Sequence, residues 1–404
     1  MAKPIVLTLL GVFWPGNDAT GPNQSFRGMT ETLSDDFSFH VVARDRGSGV
    51  RNAVRSSGVW TERDGVKVRY ASVGPQGARD LGEILRTTPH DMLMLNGFFD
   101  REFTIPTLLL RRLGRVPLRP TILSPRGEFA SGAMSLKSGR KAAWRAMARR
   151  TGLLHDIWLH GSTESEAADI ARGLPGARGY LVAPDIRGLI EPCPHALATE
   201  PVCRLTFLGR ISPVKNLDYG LALLAQTSAR VALRIFGPCE NPAYWERCQQ
   251  IIAGLPRNVV VSYEGEIANA TVPRVMANTD LLFLPTKGEN FSHTIFEALS
   301  CGVPALISDM TPWRDLERHA AGWDLPLDDP GAFARAIDEF ASFASDARAK
   351  LRLGARRLAE NFVREGDAVG QNRELLNKVL GGVAQARISE TDVFPAAAPH
   401  KEQS

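Results

Sequence analysis

Residues 281–309 read LLFLPTKGENFSHTIFEALSCGVPALISD. A four-residue apolar run at 281–284 is followed by a loop, a helix-like segment and a second apolar run at 305–308. Phe291, Ile295 and Leu299 recur every fourth residue, giving the middle segment one apolar stripe at helical period. Cys301-Gly302 then turns the chain into the second run. Short, continuously apolar runs suit strands covered on both faces, and strand, helix, strand in succession makes a parallel pair.

The same unit repeats outward in both directions. Apolar runs fall at 205–208, 231–236 and 259–263 before it, and at 5–9, 39–43, 66–70, 92–95, 121–124, 157–160 and 180–183 in the first half. Between them Leu217, Leu221 and Leu224, and later Phe333, Ile337 and Phe340, keep helical spacing. Thr163-x-x-Glu166 reads as a capping box opening a helix through about 172. The run 66–70 alternates Lys67 and Arg69 with apolar residues, which marks an edge or half-exposed strand. The pattern predicts an α/β chain of two Rossmann-like, doubly wound parallel-sheet domains. Ligands of such sheets bind outside the carboxyl ends of the strands, so the site is expected in an interdomain cleft.

A length of 404 residues agrees with two domains. Residues 184–202 hold four prolines and follow neither period. The expected division is a first, acceptor-side domain over 1–185, a linker over 186–202 and a second domain over 203–362. A C-terminal helix over 363–380, packing back on the first domain, and a flexible tail over 381–404 complete it. With 44% hydrophobic and 23% charged residues the composition is that of a soluble globular chain. The net charge of +4 argues against nucleic acid as a partner. Five cysteines form no C-x-x-C pair, as expected of reduced thiols in a cytoplasmic protein. The run from Ile5 to Phe13, leading into Trp14-Pro15-Gly16, has the length of a core strand and no cleavage site after it, which speaks against a signal peptide.

Charge is placed unevenly. Between Phe103 and His155 stand eleven Arg and Lys residues and one acid, Glu128. In the segment 137–150, Arg140, Trp144 and Met147 form one helical row and Lys141, Arg145 and Arg149 another. Such a helix suggests an anionic surface, either lipid headgroups, giving peripheral contact with the inner face of a membrane, or a lipid-diphosphate acceptor. A solvated helix whose partner acids lie elsewhere in the fold is the alternative.

Two loops carry the chemistry. After 205–208 comes Gly209-Arg210-Ile211-Ser212-Pro213-Val214-Lys215-Asn216, where two cations five residues apart precede a helix and suit a diphosphate. After 281–284 come Glu289 in the loop and Glu297 inside the helix, eight residues on. At ~1.5 Å per residue that separation spans roughly 12 Å, the length of a sugar, a diphosphate and part of a ribose. The amides of Asn290 to His293 open the helix, where negative charge is stabilised. No D-x-D triplet, a common carboxylate handle for a metal ion, occurs. Neither a metal nor a cofactor is expected.

The Glu289–Glu297 pair closely resembles the E-x7-E motif of retaining glycosyltransferases of family four, which have the GT-B fold. FLGRISPVKNLD (207–218) and EALSCGVPALISD (297–309) resemble the stretches that flank it, and order and spacing agree over roughly 205–330. ILSPRGEFASGAMSLK (122–137) and LHGSTESEAADI (159–170) resemble acceptor-domain segments of one branch. The resemblance implies transfer of a sugar from a nucleotide-diphosphate sugar to a saccharide or lipid-linked acceptor, in polysaccharide or glycolipid synthesis. It places Glu289 on the transferred sugar, Arg210 and Lys215 on the diphosphate, and Glu297 on the ribose. Gly209, the backbone of Asn290, Phe291, Ser292 and His293, and the Gly21-Pro22-Asn23 loop are implied around the donor. Many members have glycine where Asn290 and Ser292 stand, and Arg126-Gly127 occupies the neighbourhood of a histidine found in several relatives. His155 and His160 read as structural. Two other classes fit the sheet pattern, an NAD-dependent oxidoreductase and a non-catalytic sugar-binding module. The first lacks its G-x-G-x-x-G after the opening strand, where Leu10-Gly11-Val12-Phe13 stands.

Overall fold

A computed structural model describes residues 2–11, 13, 21–45, 58–72, 75–129, 138–195 and 202–381. Trp14-Pro15-Gly16, Lys137, the end of the linker and the tail beyond 381 lie outside the described residues.

The first sheet comprises β1 (Ile5–Leu10), β2 (Ser38–Arg44), β3 (Trp60–Arg63), β4 (Val66–Ala71), β5 (Met92–Asn96), β6 (Thr121–Ser124), β7 (Ile157–Gly161) and β8 (Gly179–Val182). Its order is β3-β4-β2-β1-β5-β6-β7-β8, parallel except for β3. Helices α1 (Gly21–Leu33), α2 (Pro75–Thr87), α3 (Thr104–Arg112), α4 (Ser138–Arg150) and α5 (Glu164–Gly173) connect its strands. The second sheet comprises β9 (Cys203–Leu208), β10 (Val231–Phe236), β11 (Val259–Gly265), β12 (Leu281–Leu284), β13 (Ala305–Ser308) and β14 (Gly322–Leu325). Its order is β11-β10-β9-β12-β13-β14, with every pairing parallel. Helices α6 (Leu217–Leu224), α7 (Pro242–Ala253), α8 (Val272–Ala277), α9 (His293–Ser300) and α10 (Pro330–Ser342) connect this sheet, and α11 (Ser345–Glu365) and α12 (Ala368–Gly381) end the described chain.

All twelve apolar runs are strands, and their burial explains why. The central β5 and β12 are buried along their whole length, so both faces must be apolar. Strand β4 corrects the edge reading: β3 pairs antiparallel outside it, although Lys67 stays exposed while Val66, Val68 and Tyr70 are buried. In each sheet the strand order reverses beside the first strand, between β1 and β5 and between β9 and β12. Loops leaving those strand ends diverge to opposite faces and open a crevice.

The C-terminal helical segment read from 363 is instead the end of α11, a break at Gly366-Asp367, and α12. Asp367 takes a left-handed φ of 36° there. Beyond the break, Leu375, Leu376 and Val379 of α12 are buried in the first domain's core with Val6, Phe26 and Leu33. Helix α4 turns its apolar row inward. Trp144 Nε1 donates to the Phe98 carbonyl, Lys141 lies over the Phe99 ring and Arg145 over Phe129, leaving Arg140, Arg149 and Arg150 exposed. Among the described residues no helix is long and apolar enough to cross a membrane.

Candidate active site

The two loops at the β9/β12 reversal are zipped together. Lys287 N–H and Thr286 Oγ1 both donate to the Val214 carbonyl, at 2.8 and 3.1 Å. Asn216, left-handed at φ 60° and buried, donates from Nδ2 to the Pro285 carbonyl at 2.9 Å. Gly209 lies under the aliphatic stem of Lys215. Gly237 is fixed as glycine because a Cβ would fall 2.1 Å from the Gly209 carbonyl oxygen. This packing aims Lys215 across the reversal at Glu289, and Nζ donates to Oε1 at 2.5 Å with side chains only 14% and 10% exposed. Arg210 does not join the pair. Its guanidinium is exposed and bridged to Glu240 at 3.0 Å, because the loop follows β10 through an Ile211–Cys239 pairing.

Ser292 precedes α9 at φ 61°, the conformation that glycine adopts most easily. Its hydroxyl caps nothing and is buried without a partner, as are Ser212 Oγ and His293 Nδ1 among the described residues. Orphaned polar atoms converging at one crevice indicate a ligand's place. The Phe291 ring packs edge-on against the His293 ring and into an aromatic cluster with Phe296, Trp313 and Phe362.

His293 and Glu297 lie one helical turn apart on the face of α9 turned to the linker. Nε2 of His293 is 3.3 Å from Ser25 Oγ and 3.6 Å from Asp185 Oδ2. Gly21 packs against the His293 ring, which brings the first turn of α1, with Pro22 and buried Asn23, to the first turn of α9. Two helix N-termini thus converge, a favourable place for an anion. Burial drives the His293 pKa down to about 3, with Arg187, Arg126 and Lys215 adding to the fall and Asp185 opposing it, so the imidazole is neutral.

The linker supplies residues that sequence reading missed. Asp185 and Arg187 alternate around buried Ile186. An extended chain places i and i+2 on one side ~6.6 Å apart, and a helix places i and i+4 on one face ~6 Å apart, so the two match. Asp185 meets Arg126 Nη1 at 2.8 Å, and Arg187 Nη2 donates to Glu297 Oε1 at 3.0 Å. Burial raises the carboxyl pKa of Asp185, but Arg126 leads the opposing groups and the net effect is a fall. The alternation of acid, apolar and base in Asp185-Ile186-Arg187 was the one available signal.

Glu166 departs from the capping box as read. Thr163 Oγ1 does accept the Glu166 N–H, but the carboxylate binds Ser162 N–H and Oγ at 2.8 Å, Gly127 N–H at 2.7 Å and Asn290 Nδ2 at 2.8 Å. It therefore ties the Arg126-Gly127 turn of the first domain to the loop of the second sheet. His160 bridges Ser124 Oγ and the Ala183 carbonyl inside the first domain, and His155 lies on its surface.

Glu128 closes the first domain's side of the crevice. Its Oε2 accepts the Phe98 and Phe99 N–H groups at 2.5 and 3.2 Å. Burial pushes its pKa up to about 7 against the pull of those amides and of Lys141, and Asp100 adds to the rise. A carboxyl raised above its ordinary 4.5 gives stability that is present below that value and lost as pH rises through about 7. The full shift is worth about 3 kcal/mol, and partial solvent access reduces it to about 2. Glu128→Gln should therefore gain about 2 kcal/mol on wild type between pH 4 and pH 8 in urea denaturation. A constant difference across that range would refute the assignment.

Comparison with known proteins agrees with this architecture. Residues 203–342 match the family model described as glycosyl transferases group 1. Sucrose-phosphate synthase from Thermosynechococcus elongatus superimposes with a TM-score of 0.72 at 14% identity, covering 94% of this chain and 100% of that one. Anabaena HepE in complex with UDP and glucose gives 0.66 at 14% identity, covering 93% and 98%. WaaG, a glycosyltransferase involved in lipopolysaccharide biosynthesis, gives 0.62 at 13% identity, covering 93% and 100%. Comparison with curated sequences finds no match. Two parallel-sheet α/β domains on this plan make the GT-B fold. The family match lies on the second domain, and the chain as a whole has GT-B architecture.

Proposed function

We propose that the protein transfers a sugar from a nucleoside-diphosphate sugar to a saccharide or lipid-linked acceptor, with retention of configuration and without a metal. The observation that carries this reading is the buried Lys215–Glu289 pair at the β9/β12 reversal, with Glu297 eight residues further on, one turn into α9. In this reading Glu289 meets the transferred sugar. Lys215 neutralises the leaving diphosphate, and Arg210 adds a second cation from the solvent side. The amides of Asn290 to His293, Gly209 and the Gly21-Pro22-Asn23 turn of α1 surround the sugar and phosphates, and Glu297 takes the ribose hydroxyls. Preorganised cations and amides of this kind stabilise charge that develops on a leaving group. The missing D-x-D triplet agrees with metal-free neutralisation. Among the structural neighbours, HepE with UDP and glucose and an Escherichia coli protein bound with UDP-2-fluoro glucose support a nucleotide-sugar donor. Polysaccharide or glycolipid synthesis in the cytoplasm is the setting we propose. The exposed Arg140, Arg149 and Arg150 of α4 are the residues on which peripheral contact with an anionic membrane surface would rest.

Thermal stabilisation by UDP, GDP, ADP and NAD tests the donor class. One nucleoside diphosphate at a hundred times its Kd should stabilise the protein by about 2.7 kcal/mol. Stabilisation by NAD alone would sink the reading.

A further inference from the structure

We propose that Arg187 is the positioning residue for Glu297, and that through it ribose recognition depends on the first domain. The inference rests on the reading that Glu297 receives the ribose. Glu297 and Arg187 have side chains only 5% and 8% exposed. Burial pushes the Glu297 pKa up, towards the neutral form. Two donors oppose that: Arg187 Nη2 at 3.0 Å and Asn269 Nδ2 at 3.1 Å, both on Oε1. Oε2 takes no hydrogen bond among the described residues and is left for a ligand. An ionised carboxylate accepts hydrogen bonds only, and those it accepts from hydroxyls are about twice as strong as neutral ones. Arg187 and Asn269 thus favour the ionised form against the net rise that burial causes, and fix which oxygen a vicinal diol meets.

Arg187 is itself held from the other side. Its Nη1 donates to Gln24 Oε1 at 2.7 Å, and its guanidinium lies 5.7 Å from the Phe296 ring centre. Gln24 stands in the first turns of α1, so the path Gln24–Arg187–Glu297 runs from the first domain through the linker to the donor helix. Gly28 lets α1 approach that closely, since a Cβ would fall 2.1 Å from the Ile186 carbonyl oxygen.

Calorimetric titration with ADP, GDP and UDP, each beside its 2′-deoxy form and beside inorganic pyrophosphate, tests this. Wild type should prefer the ribonucleotide by about 10-fold, equal to about 1.4 kcal/mol. Arg187→Ala should reduce that preference to about 2-fold while pyrophosphate affinity stays within about 2-fold, and Arg187→Lys should restore part of it. Gln24→Ala leaves the ion pair and should reduce the preference by an intermediate amount. It also serves if Arg187→Ala does not fold. A preference unchanged in both variants, or equal loss of nucleotide and pyrophosphate binding, would overturn the proposal. Failure of wild type to bind any of the three nucleotides would remove the donor reading, and this inference with it.

Discussion

Glu289→Gln should lower turnover by about 10²- to 10³-fold at saturating donor, while the protein remains folded. The carboxylate stands 2.5 Å from Lys215 Nζ inside a largely buried pair, at the strand ends where the sheet order reverses. Glutamine keeps the shape and an oxygen for Lys215 to donate to, so the loops zipped at Val214 retain their geometry. In the proposed reaction the negative charge is lost where positive charge develops on the transferred sugar. An interaction made mainly in the transition state affects turnover more than donor affinity. Steady-state kinetics with circular dichroism as the folding control would show it. Turnover near wild type would refute the role of Glu289.

Arg126→Ala should cost about 3–5 kcal/mol, because it leaves buried Asp185 without its strongest counter-charge. For a domain of this size the thermal midpoint should fall by on the order of 10 °C. Asp185 has a depressed pKa in the folded state, so its contribution is present above the unfolded value of 3.8 and lost as pH falls through the folded value. The gap between wild type and variant should therefore narrow below about pH 4. Asp185→Asn in the Arg126→Ala background should recover much of the loss, since neither member of the pair then leaves an uncompensated buried charge. A gap that stays constant with pH, or a double variant no more stable than the single one, would count against the pairing.

Both sheets were legible because their strands are buried on both faces, a pattern that survives without any knowledge of contacts. The strands that escaped notice have reasons. In β3, Trp60-Thr61-Glu62-Arg63 is mostly exposed and has no apolar run. In β14 only Gly322 and Trp323 are buried. Lys215 and the two glutamates were legible because loop position and helical rise are local quantities. Arg210 was grouped with Lys215 by spacing alone, and the folded chain sends it to Glu240 instead. Arg187 and Asp185 escaped notice because their partners Glu297 and Arg126 lie 110 and 59 residues away. Glu166 read correctly as a helix opener, but its bond to Asn290 spans 124 residues, a distance no local pattern reports.

The seating of α12 in the first domain's core has a mechanical consequence. Backbone passes between the two sheets at two separate places, through the linker and again at Gly366-Asp367. A body tethered at one point can turn about three axes. Tethered at two, it keeps only the swing about the line that joins them. Two separate crossings therefore leave the domains fewer ways to turn against each other than the linker alone would.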